Sequence, residues 1–224
     1  FCANRASAFK RTRRAFKGRG FMRKIVDIRP LKRELRAKYR KIRENMDPAQ
    51  KKEFDEAIFK RMVASPFYRD ARTLLCYVST PIEVDTIGLI QHAFSEKKTV
   101  AVPKCLDRSG KMAFYAIQSI NELKEDTFGL LEPDPSVHAC VSDFSGALCI
   151  LPAFAFDTEG YRIGFGKGYY DRFLQRFNGV KVGICYPSCI ANKLPHGRYD
   201  VPADYVVTPK YILTIKKQED HENG

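Results

Sequence analysis

The sequence predicts one α/β domain of three layers, built on a mostly parallel, Rossmann-like open sheet. Three observations predict it. Short apolar runs of strand character at 73–78, 99–102, 147–156, 180–186 and 205–208 alternate with segments whose apolar residues recur at helical spacing. The run at 147–156 (ALCILPAFAF) is apolar throughout, as in a central strand covered on both faces. The length of 224 residues, with 44% hydrophobic and 12% aromatic side chains, fits one substantial packed domain with appendages and excludes a disordered or low-complexity chain. Strands separated by helices imply a layered, largely parallel arrangement.

The elements follow in order. Pro30 suits a first helical position, and Leu31, Leu35, Tyr39, Ile42 and Met46 continue at helical spacing. Asp47-Pro48 reads as a cap and a starting proline, followed by the stripe Phe54, Ala57, Ile58 and Met62. A buried strand at 73–78, a short amphipathic helix at 87–94 and a second strand at 99–102 come next. A turn at 107–110 leads into an alternating strand at 112–117, and the Pro-containing stretch 132–143 reads as a loop. The long apolar strand at 147–156 precedes a helix at 169–177, a strand at 180–186 and a last strand at 205–208. The domain is expected to span 30–215, with a basic tail at 1–29 and a frayed end at 216–224.

Charge is unevenly placed. Residues 1–29 hold ten basic side chains and one acid, Asp27, so they carry +9 of the net +13, and the remainder carries only +4. A near-neutral body with a basic tail argues against nucleic acid as the main partner. The preferred account of the tail is upstream read-through ahead of a start at Met22. An Arg-rich organellar transit peptide and a nucleic-acid-binding arm are the other two. No apolar stretch approaches the roughly 20 residues of a membrane span. Seven cysteines, an odd number without close C-x-x-C spacing, fit a reducing compartment, and the location expected is cytoplasmic, or an organellar matrix if the tail is a transit peptide. The four histidines share no metal-ligand spacing.

Chemistry concentrates in 151–172, LPAFAFDTEGYRIGFGKGYYDR: a strand, a turn, a glycine-rich loop and a helix start. Gly164, Gly166 and Gly168 alternate, so the backbone can approach a ligand and expose its N–H groups. Lys167 lies inside the loop, Arg162 just before it, and the helix that follows aims its positive end at the same place. These residues read as a phosphate cradle, although the spacing is neither that of the P-loop nor that of the dinucleotide fingerprint. Asp171, on the first helical turn, is a candidate Mg²⁺ ligand, because that ion takes one or two carboxylates plus substrate phosphates. Asp200 and Asp204 are the candidates for a second carboxylate. Among the nearby aromatics, Phe154 and Phe156 read as core, while Phe165 and Tyr169 could stack on a planar ligand.

With LPAFAFDTEGYRIGFGKGYYDRFL, three shorter segments agree in order and spacing: KRELR at 32–36, IEVDT at 82–86 and YDVPADYVVT at 199–208. In this combination the sequence resembles the 5-formyltetrahydrofolate cyclo-ligases (5,10-methenyltetrahydrofolate synthetases) over roughly 30–215. The resemblance implies an ATP- and Mg²⁺-dependent enzyme that converts 5-formyltetrahydrofolate, with or without an acidic polyglutamate tail, to 5,10-methenyltetrahydrofolate. By matching positions, Lys32, Arg33, Glu34, Leu35 and Arg36, with Arg162, Ile163, Gly164, Phe165, Gly166, Lys167, Gly168, Tyr169 and Tyr170, would contact ATP. Lys167 and Arg162 would stabilise the transferring phosphoryl group, Asp171 and Asp204 would hold Mg²⁺, and Glu83 and Arg36 would touch the folate. Asp85 and Asp200 are left as caps or turn residues, and a monomer is expected. Two rival classes share some of these features: a sugar-phosphate or acyl-transferring α/β enzyme without ATP, and a basic nucleic-acid-binding module.

Overall fold

The computed structural model describes residues 27–107, 109–126 and 129–216, so nearly all of the basic tail and the expected frayed end lie outside the described residues. Helix α1 (Arg29–Glu44) opens with proline in its first turn, and α2 (Pro48–Ala64) is capped by Asp47, whose carboxylate accepts from the Gln50 N–H at 2.9 Å. A four-residue helix, α3 (Pro66–Arg69), follows at once, capped by Ser65. Strand β1 (Thr73–Leu75), helix α4 (Ile87–Ser95), and strands β2 (Thr99–Cys105) and β3 (Met112–Ile117) come next. A small hairpin of β4 (Lys124–Glu125) and β5 (Leu131–Glu132) precedes β6 (Cys140–Val141). The second half contains β7 (Ala147–Leu151), β8 (Ala155–Asp157), β9 (Arg162–Ile163), α5 (Tyr169–Leu174), β10 (Val180–Ile184), β11 (Ile190–Ala191), β12 (Tyr205–Val207) and β13 (Ile212–Thr214).

Eight strands form the main sheet in the order β13-β12-β10-β7-β1-β2-β3-β6. The inner five, β12, β10, β7, β1 and β2, are parallel, and β3, β6 and β13 are antiparallel additions at the edges. Side chains alternate along each inner strand, which divides the core in two. Leu75, Cys149 and Leu151 meet Tyr39 of α1 and Phe173 and Leu174 of α5 on one face. Leu74, Leu148 and Ile150 meet Ile58 and Met62 of α2 and Leu89 and Ile90 of α4 on the other. This is the expected three-layer α/β architecture. Chain order runs outward in opposite directions from the pair β1 and β7, so the crevice beyond their carboxyl ends is the topological switch point.

One expected element divides. The apolar run 147–156 is two strands in two sheets: β7 at the centre of the main sheet, with every residue buried, and β8 in a three-stranded sheet of order β11-β8-β9. Pro152 lies between them, and its missing N–H ends the ladder. Phe156 of β8 packs where Gly183 of β10 has no side chain, since a Cβ there would stand 2.5 Å from the Phe156 ring. The small sheet is thereby seated on the large one. The helix expected at 169–177 stops at Leu174, although Phe177 still packs in the core. α3, β6 and β13 were not expected, being too short or too polar to announce themselves.

Candidate active site

The small sheet delivers the glycine loop. Asp157, fully buried, accepts from the N–H groups of Glu159, Tyr161 and Leu194 at 3.0, 2.8 and 2.8 Å, fixing the turn between β8 and β9. Arg162 follows with only 7% of its surface exposed. Its guanidinium donates to the Val201 carbonyl at 2.6 Å and pairs with Asp171 at 2.7 Å. Arg162, expected at the phosphates, joins β9, α5 and the segment before β12 through these contacts. Gly166 and Gly168 take φ of +99° and +70°, where L side chains are strained, and a Cβ on Gly166 would stand 3.0 Å from the Arg36 guanidinium carbon. Gly164 faces open space. Phe165 is half exposed at the loop's crest with its ring centroid 4.7 Å from that of Phe154, which is buried. Lys167 is exposed, and its carbonyl accepts from Arg172 at 2.8 Å.

Helix α1 lies along the loop through one face. Lys32, Leu35, Arg36, Tyr39 and Arg43 recur at helical spacing on the inward side, while Arg33 and Glu34 of the expected nucleotide set are exposed. The Arg36 Nε donates to the Gly164 carbonyl at 2.8 Å, and the Lys32 amine pairs with Asp200 at 2.7 Å. Arg43, 4% exposed, donates to the carbonyls of Ala153 and Phe154 at 2.6 and 3.2 Å, where the chain leaves the main sheet. Sequence reasoning passed over Arg43; its place on the same face as Arg36 was the available signal.

The switch-point side is formed by the segment after β1. Glu83 is 5% exposed, and its Oε2 accepts from both the N–H and the hydroxyl of Thr80, each at 2.8 Å. The Tyr186 hydroxyl, just beyond β10, donates to Asp55 at 2.7 Å and lies 3.0 Å from the Glu83 carbonyl, tying the segment to that part of the chain. Asp85 accepts from the Ile87 N–H at 2.9 Å, the turn role expected of it. Burial pushes the Tyr77 hydroxyl well above its usual pKa, and the nearby Glu83 carboxylate adds to the effect. Tyr169 donates to the Asp107 carbonyl at 2.8 Å, holding the β2–β3 turn against the loop, and Ile163 is core.

The carboxylates sort differently from expectation. Asp204 accepts from the Lys181 N–H at 2.8 Å and pairs with the Lys181 amine at 2.9 Å. Lys181 is the second residue of β10 and Asp204 directly precedes β12, so the pair lies at the opposite end of the parallel strands from the switch-point crevice, and no described hydrogen bond or shared partner joins Asp204 to Asp171. Asp200 lies beside the loop instead: it holds Lys32 of the loop-lining helix, and the next residue, Val201, brings its N–H to within 3.4 Å of Asp171 and its carbonyl to Arg162. The spacing YDVPAD offered both aspartates, and only tertiary structure separates them. Among the described residues no three His, Cys, Asp or Glu side chains cluster as a metal centre. Two nearby carboxylates and no nitrogen or sulfur donor suit Mg²⁺ completed by phosphate oxygens and water.

A model of the 5-formyltetrahydrofolate cyclo-ligase family matches residues 28–209. The mitochondrial 5-formyltetrahydrofolate cyclo-ligase of Arabidopsis thaliana is 32% identical over 211 residues, covering 82% of this chain and 76% of that protein. The 5-formyltetrahydrofolate cyclo-ligase of Escherichia coli K12 is 30% identical over 177 residues, covering 77% and 97%. Among solved structures, the 5,10-methenyltetrahydrofolate synthetase of Aquifex aeolicus superposes with a TM-score of 0.74 at 30% identity, covering 87% of this chain and all of that one.

Proposed function

This chain belongs to the 5-formyltetrahydrofolate cyclo-ligase family and is a ligase, and we propose that it cyclises 5-formyltetrahydrofolate to 5,10-methenyltetrahydrofolate at the expense of ATP, with Mg²⁺. The observation that carries the proposal is the strained glycine loop with Arg36 and the Lys32–Asp200 pair beside it, and buried Glu83 supports it from the segment after β1.

The chemistry asks for these parts. A formamide carbon is a poor electrophile because nitrogen donates into the carbonyl and oxide is a poor leaving group. Attack of the formyl oxygen on the γ-phosphorus, with ADP leaving, creates an iminium-like carbon bearing a phosphate. The second folate nitrogen then closes the five-membered ring, losing its proton as phosphate departs. No side-chain nucleophile takes part. The protein's task is to position two substrates and balance charge on the moving phosphoryl group. Loop N–H groups and the Lys167 amine would face the phosphates, with Arg36 lining the cradle and Arg162 holding Asp171 in place. Asp171 and Asp200 would hold Mg²⁺, which, when bound, neutralises phosphate charge. Glu83 would accept from the N–H edge of the pterin.

The direct test mixes 5-formyltetrahydrofolate, MgATP and the purified chain and follows methenyl absorbance. Growth only with ATP and Mg²⁺ is expected; growth without ATP would refute the proposed mechanism. Exchanging the aspartates separates their roles. Asp200→Asn should raise the Mg²⁺ concentration for half-maximal activity by roughly tenfold, whereas Asp204→Asn should leave the Mg²⁺ titration unchanged and cost about 1 kcal/mol of stability. The reverse pattern would restore Asp204 as the ligand. Glu83→Gln, which keeps the shape and loses the charge, should weaken folate binding roughly 10- to 100-fold with the KM for ATP unchanged.

A further inference from the structure

The hydroxyl of Tyr170 is closed to solvent and finds no hydrogen-bond partner among the described residues. Buried polar groups are nearly always paired, because an unpaired one gives up its bonds to water without replacement. One left unpaired where a ligand is expected to bind is therefore a candidate contact. Tyr170 stands on the first turn of α5, directly after the glycine loop, and its ring is edge-on to Phe114 of β3 with centroids 6.3 Å apart. Its electrical surroundings are those of the switch point. Burial, together with Cys149 of β7, Cys76 and Tyr77 beyond β1, and Glu83, pushes its pKa well above the usual phenol value. It stays protonated and can donate.

We propose that the Tyr170 hydroxyl donates a hydrogen bond to the ring carbonyl of the folate's pterin, beside the N–H edge taken by Glu83. The proposal rests on the reading that this site takes a reduced folate, and it moves Tyr170 from the nucleotide to the folate. The chemistry is complementary. A carboxylate only accepts and a protonated phenol can donate, while the pterin edge sets N–H donors next to one carbonyl acceptor. A donor and an acceptor fixed on separate elements, α5 and the segment after β1, read both halves of that edge.

The test is Tyr170→Phe, which removes only the oxygen. Calorimetric titration of the full chain without ATP measures binding of 5-formyltetrahydrofolate and of unformylated tetrahydrofolate, with ATP titrated separately and thermal melts alongside. The expected result is a loss of roughly tenfold for both folates, ATP binding within twofold of the parent, and a melting temperature unchanged or higher, because an unpaired buried group has gone. Equal folate binding in the variant and the parent would overturn the proposal while leaving the proposed function intact. A loss confined to the formylated folate would move the contact to the formyl oxygen and overturn the assignment to the pterin. Equal loss of folate and ATP with a lowered melting temperature would mark Tyr170 as structural and overturn it too. A parent chain that binds neither folate would remove the proposed function, and this inference with it.

Discussion

Lys167→Ala is expected to lower kcat/KM by about a thousandfold while leaving the melting temperature where it was. Both halves follow from where the side chain sits. Lys167 is exposed in the loop, so its removal opens no cavity in the core. The loop's own geometry is held by other groups: the Gly164 carbonyl by Arg36, the Lys167 carbonyl by Arg172, and the left-handed turns by Gly166 and Gly168. What would disappear, on the proposed function, is one ammonium facing the phosphoryl group, and removal of a single stabilising donor from an active site typically costs two to three orders of magnitude. Steady-state kinetics in the methenyl assay and a thermal melt check it. A loss below about fivefold would take Lys167 out of the cradle.

Asp171→Ala is expected to damage both activity and stability. Arg162 keeps only 4% of its side-chain surface exposed and is paired with Asp171, whose side chain is 27% exposed. Without the carboxylate, that guanidinium retains the Val201 carbonyl but loses its counter-charge. Breaking such a pair costs about 3 kcal/mol, the lower end of the range because Asp171 reaches solvent. For a domain of this size that corresponds to a melting temperature lower by roughly 6–12 °C. Asp171→Asn separates the two effects, since its amide oxygen still accepts from Arg162. It should recover most of the stability and little of the turnover. Full recovery of turnover in the Asn variant would show that Asp171 serves only Arg162.

Much of this was legible along the chain, for reasons that differ by residue. The long helices announced themselves through proline, caps and a regular stripe, and α1 placed Lys32, Arg36 and Tyr39 on one face as their spacing requires. The glycine loop was visible because its strain needs glycine at Gly166 and Gly168. The break at Pro152 was written in the sequence and overlooked, because uniform hydrophobicity on both sides hid a change of sheet. Asp200 and Asp204 could not be told apart by chemistry or spacing, since what separates them is Lys32 from one end of the chain and Lys181 from another. The contacts of Arg162 with Val201 and Asp171 were not legible, because nothing local shows that those distant residues will reach it. Tyr170 could be placed near the site but not oriented, for an unpaired hydroxyl is a property of packing alone.

The contacts that frame the loop come from Lys32 and Arg36 near one end of the domain and from Asp200, Val201 and Ala203 near the other, with Gly160 docked on Ala203. This fixes when in the life of a molecule the cradle can exist. A nascent chain that has just released its glycine stretch from the ribosome still lacks the segment that anchors Arg162 and holds Asp200. It therefore lacks the contacts that frame the loop, and on the proposed function nucleotide is not expected to bind such a fragment and pull it toward the native state. Ligand stabilisation, which acts by mass action on states that bind, is reserved for the finished domain. Truncation products ending before residue 200 are expected to gain no protection from substrate, which a thermal melt of such a fragment with and without MgATP would check.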